Sequence, residues 1–233
     1  AKDLTNHHIL RNITLALAGF LGFILAAWRS LAFQRQTDTN AETHITELFT
    51  KAAEELGSEH ITVRIAAIHA LWRVATKSRK KEDKVAVVDV LCAFVRHPIH
   101  DDTLPACQST DENKDTEKEP SLLRADVQTV ITLLGKRWSE LNLRREPDLV
   151  NFRGADLRKG NFSSMEFPYV IMDGANLEWA YLKEAELEGA NLSETNLKGA
   201  YMVGANLEGA DLVEANLKDA CLKGANLVRA TLE

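Results

Sequence analysis

The chain has 233 residues, 45% hydrophobic and 27% charged, a balance that suits folded structure and excludes disorder throughout. Its 28 Lys and Arg against 34 Asp and Glu give a net charge of -6, which excludes a general nucleic-acid binder, since that needs a basic surface to displace counterions. Three scattered cysteines, Cys92, Cys107 and Cys221, offer no disulfide framework and no zinc spacing, and they lean towards a reducing compartment.

From Ile13 to Trp28 the sequence reads ITLALAGFLGFILAAW, and 17 uncharged residues separate Arg11 from Arg29. A bilayer core of about 30 Å takes roughly 20 helical residues, with about 17 as the lower bound. The segment therefore predicts a membrane anchor over 1–35, with a single transmembrane helix at about 12–28. Trp28 would lie in the interfacial belt, and the flanking arginines would snorkel. A secretory signal peptide would need a small-x-small cleavage site, which AAWRSLAF does not supply. A buried soluble helix would be expected to keep a polar face, and this one has none. Ala18, Gly19 and Gly22 are the small residues through which another membrane helix could pack closely. Lys2 and Arg11 before the helix balance Arg29 and Arg35 after it, so orientation stays open.

A small α-helical domain is predicted over 36–147, with four amphipathic stretches. In the first, Ile45, Leu48, Phe49, Ala52 and Leu56 share a stripe, Gly57 ends the helix and Ser58 caps the next. The second, ITVRIAAIHALWRVATK, is apolar almost all round, as a helix packed on two sides would be. Its stripes are Ile61, Ile65, Ile68, Trp72 and Ala75, and Val63, Ala67, Leu71 and Val74. The third, near Val85–Val95, turns Val88, Leu91, Cys92 and Val95 inward. The fourth, Leu122–Leu134, turns Leu123, Val127, Val130, Ile131 and Leu134 inward, with Gly135 as its stop.

Between the third and fourth stretches, about 101–120 is acidic and polar and predicts a mobile surface loop. His97, His100, Asp101 and Asp102 invite a metal, but Pro98 breaks the helix that would align them, so a solvated helix end is expected. His69 has no partner at a useful spacing. No nucleophile–base pair, phosphate-binding glycine loop or H-E-x-x-H occurs. The reading is a non-enzyme without cofactor or metal.

From Val150 to Glu233 the sequence repeats every five residues, in blocks such as GADLR, GANLE, GANLS and GANLV. The central residues run from Phe152 to Leu232, seventeen in all, each Leu, Phe or Met. Two positions earlier, the twelve blocks from Ala175 to Ala230 carry Ala with Thr195 the sole exception. A period of five fits neither an α-helix nor a flat strand; it fits a square coil with two inward residues per side. The pattern resembles the pentapeptide-repeat family, A-(D/N)-L-x-x. That resemblance implies a right-handed quadrilateral β-helix over 148–233, of about four coils and roughly 20 Å at the usual strand spacing. The fold class is then α+β: transmembrane helix, helical domain and repeat solenoid. ILRNITLALAGFLGFILAAWRS and the helical stretches after it also resemble the N-terminal parts of membrane-anchored bacterial pentapeptide-repeat proteins. This implies a bacterial inner-membrane, single-pass protein, with free cysteines favouring cytoplasmic soluble domains.

Faces recur every 20 residues, so outward columns can be read directly. The column Asp156, Asn176, Asn196 and Asn216 predicts an amide ladder, structural by default. Asn161, Tyr181, Tyr201 and Cys221 form another column, with Val203 beside it and Trp179 at the preceding corner. Trp179, Tyr181, Tyr201 and Val203 are the candidate partner-docking residues; stacking of aromatics on a β face is the equal alternative. The repeats carry thirteen acids against eight bases, and some family members are acidic DNA mimics that bind type II topoisomerases. Interspersed lysines make this short stack a poor mimic. The last block, Ala230–Thr231–Leu232, predicts an uncovered final coil that could pair with a second copy, with a larger partner or with further residues. The N-terminal coil would be covered by the helical domain through RREPDLV. Together these features predict a membrane-anchored accessory or scaffold subunit whose partners are the bilayer and other subunits of an integral membrane complex. The alternative is a regulator of a soluble enzyme such as a type II topoisomerase.

Overall fold

The computed structural model describes residues 43–97, 123–143 and 149–232. The predicted transmembrane helix with Ala18, Gly19 and Gly22, His100, the 101–120 loop with Asp101 and Asp102, and residues 144–148 of the RREPDLV link lie outside the described residues. Among the described residues no helix is long and apolar enough to cross a membrane. The described residues from 48 onward form one compact unit.

Helix α1 covers 43–55, and of its predicted stripe Ala52 and Leu56 are buried, Phe49 is half-buried and Leu48 is exposed. Gly57 follows the helix without adopting a left-handed φ. Ser58 does not cap the next helix, whose N-cap is His60; instead its hydroxyl accepts the His60 N–H at 3.2 Å. Helix α2 spans Ile61–Lys77, the whole apolar stretch, and packs on both α3 (Lys81–Arg96) and α4 (Ala125–Lys136). Ala67, Ile68, Leu71, Trp72, Val74 and Ala75 are buried, so both predicted stripes contribute, while Ile61 at α2's first turn stays exposed. On α3, Val88, Leu91, Cys92 and Val95 are all buried. His69 is exposed.

Two features escape hydrophobic periodicity. Arg64, in the first turn of the apolar α2, is fully buried and donates through Nε to Asp126 Oδ2 at 2.6 Å. Its Nη1 donates to the carbonyls of Ser58 and Glu59, tying the α1–α2 turn to α4. Burial acts to raise the pKa of Asp126, but hydrogen bonds from Arg124 and Arg64 outweigh it and hold the carboxyl below the usual aspartate range. The other feature is Gly135. It does not stop α4, which runs on to Lys136, and a β-carbon there would lie 2.8 Å from Met165 Cβ and the Phe167 ring. Glycine is required by close packing against the repeats. A short 3-10 turn, Trp138–Leu141, then buries Trp138 and Leu141, and Trp72 Nε1 donates to Glu140 at 3.0 Å.

From 151 to 211 every fifth residue forms a parallel bridge with the residue twenty positions on, which defines four faces per coil. Face 1 is centred on Phe152, Met172, Leu192 and Leu212, and face 2 on Leu157, Leu177, Leu197 and Leu217. Face 3 is centred on Phe162, Leu182, Met202 and Leu222, and face 4 on Phe167, Leu187, Leu207 and Leu227. Centres from Phe152 through Leu212 are buried, as are the small residues two before them. Each such leucine contributes about 1.5–3 kcal/mol relative to exposure. Thr195 keeps its place in the alanine column because its buried hydroxyl donates to the Met172 carbonyl at 2.9 Å.

Two of the other three repeat positions have backbone reasons. The second residue after each centre turns the corner with a left-handed φ, from Gly154 at 64° to Arg229 at 59°, which is why glycine recurs in the blocks. The Asn or Asp before the centre accepts the backbone N–H of the residue after it, as Asn176 does for Glu178 at 3.1 Å and Asp211 for Val213 at 3.1 Å. The ladder is also present: Asn196 Nδ2 donates to Asn176 Oδ1 and Asn216 Nδ2 to Asn196 Oδ1, each at 3.1 Å.

Helices α3 and α4 cover the first coil. Its core is three phenylalanines in edge contact, with ring centroids of Phe152 and Phe162 at 6.0 and 5.9 Å from Phe167. The backbone groups that a preceding coil would pair are taken by helical partners. Gln128 accepts the Asn161 N–H at 2.9 Å and donates to its carbonyl at 2.8 Å, reproducing a strand's two bonds with one side chain. Arg96 Nη1 donates to the Asn151 carbonyl at 2.7 Å, and the Gly135 carbonyl accepts the Glu166 N–H at 3.0 Å. Cys92 lies at this seam; burial pushes its thiol up to about 12, against a weaker lowering by the Asn151 backbone.

Candidate functional site

Face 3 breaks the repeat's own rule. At the position where Asn or Asp satisfies a backbone N–H on most coils, face 3 begins with Asn161 and continues with Tyr181, Tyr201 and Cys221; on the other faces Glu166, Ile171, Glu186 and Thr231 also depart from it, none of them aromatic. Asn161 still accepts the Ser163 N–H at 3.0 Å. A tyrosine ring cannot reach back in this way, so two coils give up a local bond to present aromatic surface. Departures from a locally consistent pattern are where functional demands are expected.

The parallel bridges Asn161 with Tyr181, Tyr181 with Tyr201, and Tyr201 with Cys221 set the column as the spacing requires. Tyr181 is 36% exposed and Tyr201 42%, so the two rings face solvent one coil apart. Trp179 occupies the corner between faces 2 and 3 in a left-handed conformation, φ 60°, and is 50% exposed. Its indole also covers the next coil's corner: a β-carbon on Gly199 would lie 2.5 Å from the ring. Val203 is half-buried and contributes less surface than the aromatics. Lys183 and Lys223 occupy Val203's own column, one coil to either side, and Cys221 is a free, exposed thiol.

Tyr169 was not among the sequence candidates. It lies at the corner between faces 4 and 1, diagonally opposite Trp179, is 40% exposed, and covers Gly189 as Trp179 covers Gly199. The signal was an aromatic twenty residues before a corner glycine. Tyr169 stands apart from the tyrosine column, so its ring belongs to the stacking of the solenoid rather than to face 3.

The surroundings contain little reactive chemistry. Among the described residues no group of three or more His, Cys, Asp or Glu is arranged to hold a metal. The shifted groups on the solenoid are Asp156 and Arg158, whose hydrogen bond lowers the carboxyl and raises the guanidinium on face 2.

The repeat region has counterparts among known proteins. The pentapeptide-repeats family matches residues 149–183, 171–209 and 190–233, in eight copies. Solved structures similar to the chain include the pentapeptide repeat protein Rfr23 from the cyanobacterium Cyanothece 51142, 33% identical over 36% of this chain and 57% of that one, with a TM-score of 0.35. Another, from Nostoc Pcc 7120, is 35% identical over 32% of this chain and 62% of that one, with a TM-score of 0.26. A third, from the Arabidopsis thaliana thylakoid lumen, is 32% identical over 34% of this chain and 59% of that one, with a TM-score of 0.24. The chain thus spans less than two thirds of the length of each of these structures. No curated protein matches the sequence. Pentapeptide repeats imply a right-handed quadrilateral β-helix. Residues 149–233, which form the four-faced coils, match the pentapeptide-repeats family.

Proposed function

We propose that the protein is a non-enzymatic interaction module, an accessory or scaffold subunit held at a membrane by its N-terminal apolar segment. Face 3 is its docking surface. The observation that carries this reading is the replacement of bond-forming asparagine by exposed Tyr181 and Tyr201, beside Trp179, on a solenoid whose other faces keep the polar pattern more fully. Tyr and Trp concentrate binding energy because they bury large area with few rotatable bonds. The anchor rests on the uncharged run between Arg11 and Arg29, and the inner-membrane, cytoplasm-facing placement on the bacterial resemblance and free cysteines. Regulation of a soluble enzyme by DNA mimicry fits less well, because lysines interrupt the acidic surface on faces 2 and 3.

The test is the double variant Tyr181→Ser/Tyr201→Ser in the full chain. It is expected to lose co-purifying partners while melting within a few degrees of the parent, since both rings are solvent-facing. Undiminished partner recovery removes face 3 from consideration.

A further inference from the structure

The solenoid is electrically two-sided, and the aromatic face lies on its basic side. Faces 2 and 3 with the corner between them (156–163, 176–183, 196–203 and 216–223) carry six bases and three acids. The remaining described repeat residues carry two bases and nine acids. Ion pairs neutralise part of the basic side: Arg158 meets Asp156 at 2.6 Å, and Lys198 meets Glu178 at 3.0 Å. Lys183 touches Glu184 only at 3.6 Å, with both side chains more than half exposed, a geometry that contributes little. Lys218 and Lys223 have no ion pair among the described residues.

Three weakly compensated ammonium groups therefore flank the two tyrosines. Lys183 and Lys223 stand in Val203's column about 10 Å apart, two strand spacings, and Lys218 lies across the corner that Trp179 begins. The tyrosine hydroxyls add donors suited to carboxylate. Three such charges are few for a nucleic acid, whose binding grows with the number of phosphates neutralised. They suit one or two side-chain carboxylates, with apolar contact from Trp179, Tyr181 and Tyr201 between them.

We propose that face 3 docks a segment of a partner protein bearing Asp or Glu beside aromatic or aliphatic side chains. This rests on face 3 being the docking surface and adds the chemistry of what it takes. The probe is a fluorescently labelled Glu–Tyr random copolymer, titrated against the full chain in mild detergent. Binding is expected to weaken tenfold or more in Lys183→Glu/Lys223→Glu, and by a similar factor in Tyr181→Ser/Tyr201→Ser, with circular dichroism unchanged in both. Loss in the tyrosine variant alone overturns the acidic partner and leaves the face standing. Loss in the lysine variant alone shows unspecific charge attraction and overturns the proposal, and so does no effect in either variant or no binding by the parent. Tighter binding of a single-stranded 20-nucleotide DNA or of anionic phospholipid vesicles overturns it in favour of that ligand class.

Discussion

Gly199 shows how a single repeat position can carry two constraints. Its φ of 65° suits glycine, and the Trp179 ring occupies the space a β-carbon would fill. Gly209 has a similar φ, 64°, with nothing within 4 Å. Gly209→Ala should therefore lose only the left-handed backbone preference, about 1–2 kcal/mol. Gly199→Ala should lose more and displace the indole, read as a lower melting temperature together with a shifted tryptophan emission. Equal losses in the two variants would show that Trp179 does not rest on Gly199. Asp126 is the other decisive residue. Its folded pKa is depressed, so its contribution is fully present above the unfolded value of about 3.9 and is lost as pH falls through the folded value. Asp126→Asn leaves Arg64 buried without its countercharge and should cost about 3–5 kcal/mol at neutral pH. It should also flatten the acid limb of the stability curve, measured by denaturant melts from pH 2 to 7. An unchanged acid limb would contradict the role given to the pair.

At the scale of elements, α4 holds the two domains together. Gly135 lets it approach Met165 and Phe167, and Gln128 supplies the hydrogen bonds of a missing strand. Gly135→Ala should destabilise the chain by about 1–3 kcal/mol through overpacking, because Met165 Cβ is too close to its backbone to swing away. A melting temperature equal to the parent's would contradict this packing. The period of five made the solenoid legible residue by residue, because each position repeats one backbone requirement. The apolar stretch of α2 was legible for the same reason: periodicity reports burial. Gly135 was misread as a helix stop, since sequence shows a glycine's conformational freedom and not the neighbour that forbids a side chain. Arg64 and Gln128 were missed because their partners, Asp126 and Asn161, are 62 and 33 residues away and no local pattern links them. The tyrosine column was legible as four residues spaced by twenty, whereas its sacrifice of the asparagine bond emerged only with the backbone hydrogen bonds.

On the scale of the whole molecule, the helical domain does for the solenoid what a capping repeat does elsewhere: it takes up backbone groups that would otherwise recruit another strand. With that edge occupied, face 3, aromatic and flanked by lysines, is the surface proposed to meet a partner. The proposed membrane anchor would fix where that partner is met. The most direct test is to extract the native protein from membranes in mild detergent and measure the mass and composition of the particle containing it. A larger particle of fixed stoichiometry, lost in the Tyr181→Ser/Tyr201→Ser variant, is the predicted result. A bare monomer or homodimer from the parent chain would contradict the accessory-subunit account.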